Sequence, residues 1–154
     1  MTIPTFQQMA RDFLKDEDAA AFVTQLVTAA HLWDDLIDRD KPVSATDVRD
    51  AFRTLLVTLP ANPFYRRNFD QLHPLLDASV ISWLTANKFE AAGGAEKLRL
   101  AYVIRSDYIN VILKCAQLLH GFDYAVRIAP VLRAWWHAEG WDGYVNALRE
   151  QQGA

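Results

Sequence analysis

Three observations predict an all-α fold for this chain. Apolar residues recur at helical spacing along nearly its whole length, the alternating Val/Ile/Thr runs of strands are missing, and the periodic stretches are bounded by prolines, glycines and capping residues. A chain of 154 residues is long enough to bury a real core, so the expectation is one domain over residues 1–154. Its expected form is a single compact bundle of about six helices around a central apolar helix, roughly residues 17–38.

The elements follow in order. A first short helix is expected from about Pro4 to Leu14, with proline in its first turn. Asp16 then caps the long second helix, 17–38, whose first residues Glu17 and Asp18 sit at the positive end of the helix dipole. Pro42 forces a break, and Ser44 with Asp47 reads as a capping box that starts a third helix over about 45–58, ending near Pro60. "PANPFYRRNFDQLHP" reads as a turn-rich connection with one short helical turn. Pro74 suits the first turn of a fourth helix that Gly93 and Gly94 end. A fifth helix is expected over about 95–120, closed by Gly121. A sixth, capped by Asp123 and kinked or started late at Pro130, reaches about Glu139, and a last turn or two falls in 142–150.

Composition narrows the function classes. Hydrophobic residues make up 51% and charged residues 23%, with five Trp, eight Phe and five Tyr supplying packing bulk, so disorder is not expected away from the ends. A net charge of −3 gives no global attraction to phosphate backbones, which disfavours nucleic acid as a partner. The one cysteine, Cys115, lies in the apolar run "INVILKCAQLL": it excludes an internal disulfide framework and reads as a buried, inert thiol. The N-terminus lacks the basic-then-apolar order of a signal peptide, and no stretch reaches the roughly 18 uncharged apolar residues of a membrane span. A cytoplasmic protein that does not enter membranes is expected.

The chemistry is concentrated in "AAHLWDDLIDRDKPVS", residues 29–44. His31, Asp34, Asp35 and Asp38 fall within one helical sector about 100° wide. Traced back toward the N-terminus that sector is occupied by Val27, Thr24, Val23 and Ala20, not by solvated polar residues, while Phe22, Leu26, Ala29, Trp33, Leu36 and Ile37 form an apolar stripe opposite. Carboxylates gathered on one face repel each other and oppose the negative helix end, so a compensating cation is expected. Aspartate oxygens suit Mg²⁺ or Mn²⁺, with Asp34 and Asp38 one turn apart able to converge on one ion. The plainer alternative is a set of solvated charges at a frayed end, helped by Arg39 and Lys41.

A second polar stripe runs through "LAYVIRSDYINVILKCAQLL": Asp107, Asn110, Lys114 and Gln117 share one face of an otherwise apolar helix. Asp107 and Asn110 would complete a metal shell from a facing helix, and Lys114 would neutralise a phosphate oxygen; an ordinary surface stripe is the alternative. Arg66, with Arg67, in "FYRRNF" is a candidate phosphate clamp on a loop, a solvated loop being the alternative. His31 is a candidate acid/base or a structural neighbour of the acids. His73 reads as a helix-start residue, His120 as a helix-end cation, and His137, after "AWW", as a residue that stacks or caps. No adjacent His-Asp pair, ExxE repeat, Walker loop, CxxC or GxSxG is present.

"DDLID" is a DDxxD motif, and with the apolar helix before it and the short basic loop after it this segment of about fifteen residues resembles the first aspartate-rich motif of isoprenoid diphosphate and terpene synthases. The resemblance implies that Asp34, Asp35 and Asp38 hold Mg²⁺ that grips a substrate diphosphate, and that Lys41 matches the basic residue following the family's motif. The chain departs from that family in having no second DDxxD and about half its usual length. "HLWDDLIDRDKPVS" also faintly resembles a segment of small uncharacterised tailed-phage proteins, which implies no activity.

Two functions are thus expected. One is a small Mg²⁺-dependent enzyme acting on a phosphate or diphosphate ester, with Asp34, Asp35, Asp38, Asp107 and Asn110 on the metal, His31 and Lys114 assisting catalysis, and Lys41 and Arg66 on the anion. A homo-oligomer would then complete a pocket that one short chain cannot close. The other is a non-enzymatic phage- or mobile-element-type adaptor whose acidic mouth holds a basic group of a partner.

Overall fold

A computed structural model describes the backbone of residues 3–39 and 41–153. It is helical throughout, with no strand among the described residues. The chain divides into two compact units, Met1–Phe69 and Asp70–Ala154.

In the first unit, α1 (Ile3–Leu14) presents Phe6, Met9, Ala10 and Leu14, one face at i, i+3, i+4 and i+8, and packs along α2 (Glu17–Asp38). Lys15 turns the chain with a left-handed φ of 52°, and Asp16 caps α2 by accepting the Ala19 N–H at 2.8 Å. Both ends of α2 lie where the sequence puts them. Its burial does not extend along its length: Ala19, Ala20, Phe22, Val23 and Val27 are buried, whereas Leu36 and Ile37 at the far end of the apolar stripe are 44% and 54% exposed.

Ser44 and Asp47 form the expected capping box, with Asp47 N–H donating to Ser44 Oγ at 3.1 Å and Ser44 N–H to Asp47 Oδ2 at 2.9 Å. The helix they start does not run uniformly to 58. α3 (Ala45–Arg53) passes into a π-helical turn, Thr54–Thr58, and then α4 (Leu59–Ala61). The widened turn, in which Leu59 N–H bonds the Thr54 carbonyl, brings the chain past Pro60, which has no N–H to give. Asn62 then caps α5 (Pro63–Arg67) by accepting the Tyr65 N–H at 3.0 Å, while its Nδ2 donates to the Asp18 carbonyl at 2.8 Å. Tyr65 stacks on Phe22 with ring centroids 4.7 Å apart, fixing α5 against the N-terminal half of α2.

In the second unit, α6 (Phe69–Ala92) begins five residues before Pro74, which lies inside it. Proline there removes only the bond to the Asp70 carbonyl, close to an end where few intrahelical bonds have yet formed. The helix expected over 95–120 is two helices, α7 (Ala95–Ile104) and α8 (Ile109–His120). Between them tight i→i+3 bonds link Asp107 N–H to Ile104 O and Ile109 N–H to Ser106 O, and the side chains of Ser106 and Asp107 take partners elsewhere in the unit. α9 (Phe122–Trp136) starts after Gly121 at φ 91°, so Asp123 lies in its first turn instead of capping it, and Pro130 lies inside. α8 and α9 pack on each other; α8 buries Val111, Ile112, Cys115 and Ala116, and α9 buries Ala125, Ile128 and Leu132. α10 (Gly140–Gly153) is longer than the expected turn or two and buries Tyr144.

Candidate functional site

The acidic end of α2 belongs to the first unit. His31, Asp34 and Asp35 are half-buried there and Asp38 is exposed. Arg39 ends the helix in the left-handed region, φ 56°, with its N–H on the Asp35 carbonyl at 3.0 Å. The reversal brings the exposed Lys41 back over the helix end, where its ammonium lies 3.4 Å from Asp35 Oδ1. Asp35 retains only 23% of its side-chain exposure, so this contact is better shielded than an ordinary surface pair.

Arg66 does not join this group. Its neighbour Tyr65 stacks on Phe22, twelve residues before Asp34, which at 1.5 Å per residue is about 18 Å along the axis of α2. Among the described residues, no group of three or more His, Cys, Asp or Glu side chains is arranged to hold a metal ion. Asp40 lies outside the described residues.

The second stripe lies in the other unit, and each of its members is engaged by a neighbour. Asp107, in the turn before α8, accepts from Ser82 Oγ of α6 at 2.8 Å. Asn110 Oδ1 accepts from Arg133 Nη2 of α9 at 2.9 Å, and Lys114 Nζ donates to Gln117 Oε1 at 3.2 Å. Asp107 and Asn110 thus reach toward different helices, which fastens α8 to α6 and α9; the break before Ile109 removes the continuous helix on which their shared face was drawn.

A polar cluster that sequence reasoning did not single out surrounds His137, the residue closing α9. Ser106 Oγ donates to the Val103 carbonyl at 2.9 Å and lies 3.0 Å from His137 Nε2. When the hydroxyl proton is on that carbonyl, Nε2–H is the donor to Ser106; Nδ1 is buried without a hydrogen-bond partner. The Tyr102 ring lies 4.7 Å from the imidazole. Arg105 reaches Glu139 at 3.6 Å and lies over the Tyr144 ring at 4.7 Å, and Tyr144 Oη donates to Glu90 Oε1 at 2.6 Å. Burial holds His137 below its ordinary pKa, with Arg105 and Arg133 acting in the same direction against Glu139, while burial and the bond to Glu90 push the Tyr144 phenol up.

Serine beside histidine suggests a nucleophile and base, but Ser106 is 1% exposed and its proton is directed away from the ring. The pair acts as a clasp between the α7–α8 turn and the end of α9. Its members are 31 residues apart, and the one local signal was that His137 stacks or caps: it closes α9 with its backbone N–H on the Arg133 carbonyl, and its ring meets that of Tyr102 at a tilt of 53°.

The chain has no significant match among known protein families, curated proteins or solved structures. A groove of about 200 Å³ lies between α1 and α2, where Arg11 and Glu17 pair at 3.4 Å beside Gln7, Thr24 and Gln25. Gln25 Oε1 is buried there with no partner, and none of the acids at the end of α2 lines it. No helix among the described residues is long and apolar enough to cross a membrane.

Proposed function

We propose that the chain is a non-enzymatic binding module that uses the acidic end of α2, with the exposed apolar residues on the other side of that helix end, to hold a basic and partly apolar segment of another protein. The observation carrying this reading is the Lys41 ammonium on Asp35, 3.4 Å away, with Leu36 and Ile37 exposed on the next residues of the helix. A lysine from the chain already occupies the carboxylate in the way a partner's lysine would, and two large apolar side chains stand uncovered on the other side of the same helix end. A partner that displaces Lys41 exchanges one ammonium for another, and one that also wraps around the helix end gains the burial of Leu36 and Ile37.

The competing proposal is the Mg²⁺-dependent processing of a phosphate or diphosphate ester, favoured by Asp34, Asp35 and Asp38 lying within one turn of a helix. The described residues do not gather into a metal cage, so no catalytic step is derived through one.

One experiment separates the two. Thermal unfolding is followed with millimolar Mg²⁺, with Mg²⁺ and pyrophosphate, and with a synthetic Lys/Leu amphipathic peptide, on the wild type and on Asp35→Asn. The binding-module reading expects stabilisation by the peptide that salt and Asp35→Asn both reduce, because a ligand bound only by the folded state raises the midpoint. A midpoint raised by Mg²⁺ and raised further by pyrophosphate, with no response to the peptide, would overturn it in favour of the metal reading.

A further inference from the structure

The longest helix buries little of itself. α6 has 24 residues and buries only Leu72 and Ala86, although it carries Leu75, Leu76, Val80, Ile81, Trp83 and Leu84. Its exposed side is organised: at about 100° per residue, Asp77, Val80, Ile81, Leu84 and Lys88 fall on one stripe. All five are exposed, with Val80 at 41%, Ile81 at 59% and Leu84 at 46%. Asp77 and Lys88 make no ion pair with other described residues.

The order of groups along this stripe selects the occupant. An acid lies toward the N-terminus, a base toward the C-terminus, and the apolar side chains between them. Asp77 and Lys88 are equally far in sequence from the midpoint between Ser82 and Trp83, and so are Ile81 and Leu84. A two-fold axis crossing the helix at that midpoint therefore sets Asp77 opposite Lys88 of a second copy, and Ile81 opposite Leu84 of that copy, each contact occurring twice. Antiparallel placement also opposes the two helix dipoles, whereas a parallel pair in register would set Asp77 against Asp77 and Lys88 against Lys88. The helix is about 36 Å long, enough at an interaxial distance of 8–10 Å to supply much of the roughly 800 Å² per partner that a standard interface buries.

The geometry points to α6 as a homodimer interface, in which two copies of the chain pair their α6 helices antiparallel about the midpoint between Ser82 and Trp83. This surface lies on a different helix from the acidic end of α2, so it stands or falls independently of the binding function proposed above.

Sedimentation equilibrium of the full chain over about 1–100 μM tests it. The wild type is expected to show a monomer–dimer equilibrium. Ile81→Asp, at an exposed position, is expected to give monomer at every concentration with the helical circular-dichroism signal retained. Asp77→Lys and Lys88→Asp are each expected to raise the dissociation constant, by about tenfold for two symmetry-related contacts turned from attraction to repulsion, and the double variant to restore it by re-forming the pairs in reverse. A wild type monomeric throughout, or a dimer indifferent to Ile81→Asp, would overturn the interface. Single variants that weaken the dimer while the double variant fails to recover it would overturn the antiparallel register.

Discussion

His137 couples one half-buried imidazole to the acidity of the medium. Burial first, then Arg105 and Arg133, hold it below its ordinary pKa of 6.5, with Glu139 opposing; Tyr102 covers the ring and Ser106 holds Nε2. An unfolded chain has no such restraint, so below about pH 6.5 it takes up a proton that the folded chain resists, and stability falls as pH drops toward the depressed folded value. Above the unfolded value both states are neutral and this contribution is flat. Urea unfolding at about pH 7.5 and about pH 5.5 is therefore expected to show a loss on acidification that is smaller in His137→Gln; an equal loss in both proteins would remove His137 from the account. Beyond the position of His137 after "AWW", nothing local announces this cluster. Asp16 and the Ser44–Asp47 box were legible because each partner lies three residues away, whereas Ser106 meets His137 across 31 residues and Tyr144 meets Glu90 across 54. The carboxylates of α2 were legible as a shared face, but the turn that lays Lys41 on Asp35 depends on Arg39 adopting a left-handed conformation, which its residue type does not advertise.

The helix boundaries divide the same way. α2 begins and ends where its cap and the "RDKP" break indicate, since both signals act within one turn. Pro74 misleads because proline near a helix start removes a single bond, so α6 can begin at Phe69 and continue through it. The division of residues 95–120 into α7 and α8 has no glycine or proline to mark it; side-chain bonds from Ser106 and Asp107 to other helices accompany the break, and those are tertiary. The cap of α3 offers a direct check on the local signals. Ser44→Ala removes the acceptor for the Asp47 N–H and is expected to cost about 1 kcal/mol in urea unfolding, with Ser44→Gly costing only a few tenths. The bonds from Ser44 also hold the Asp47 carboxyl below the usual range, so the stabilising effect should be present at neutral pH and fade in acid as Asp47 protonates.

At the scale of the whole chain, the periodicity that made an all-α fold legible also concealed how the chain divides. Every helix carries an apolar stripe, and periodicity reports that a stripe exists without saying whether the chain itself covers it. In the first unit Val48, Phe52, Leu55 and Leu56 recur at helical spacing around α3 and the π turn and remain exposed, as do Phe122 and Val126 on α9. Apolar surface on this scale exceeds what isolated exposed residues require, and it is why both proposals invoke association. The Gly93–Gly94 corner between α6 and α7 has a separate use. Both residues have positive φ, and a methyl group added to either would meet nothing within 4 Å. A corner with open space around it is a natural place to open the polypeptide. A short epitope or fluorescent reporter inserted between Gly93 and Gly94 is expected to leave the unfolding midpoint near that of the parent, whereas the same insertion within α8, among Ile112 and Cys115, should abolish cooperative unfolding. The corner would then be a labelling site from which the chain's associations in a cell can be watched without disturbing the helices that make them.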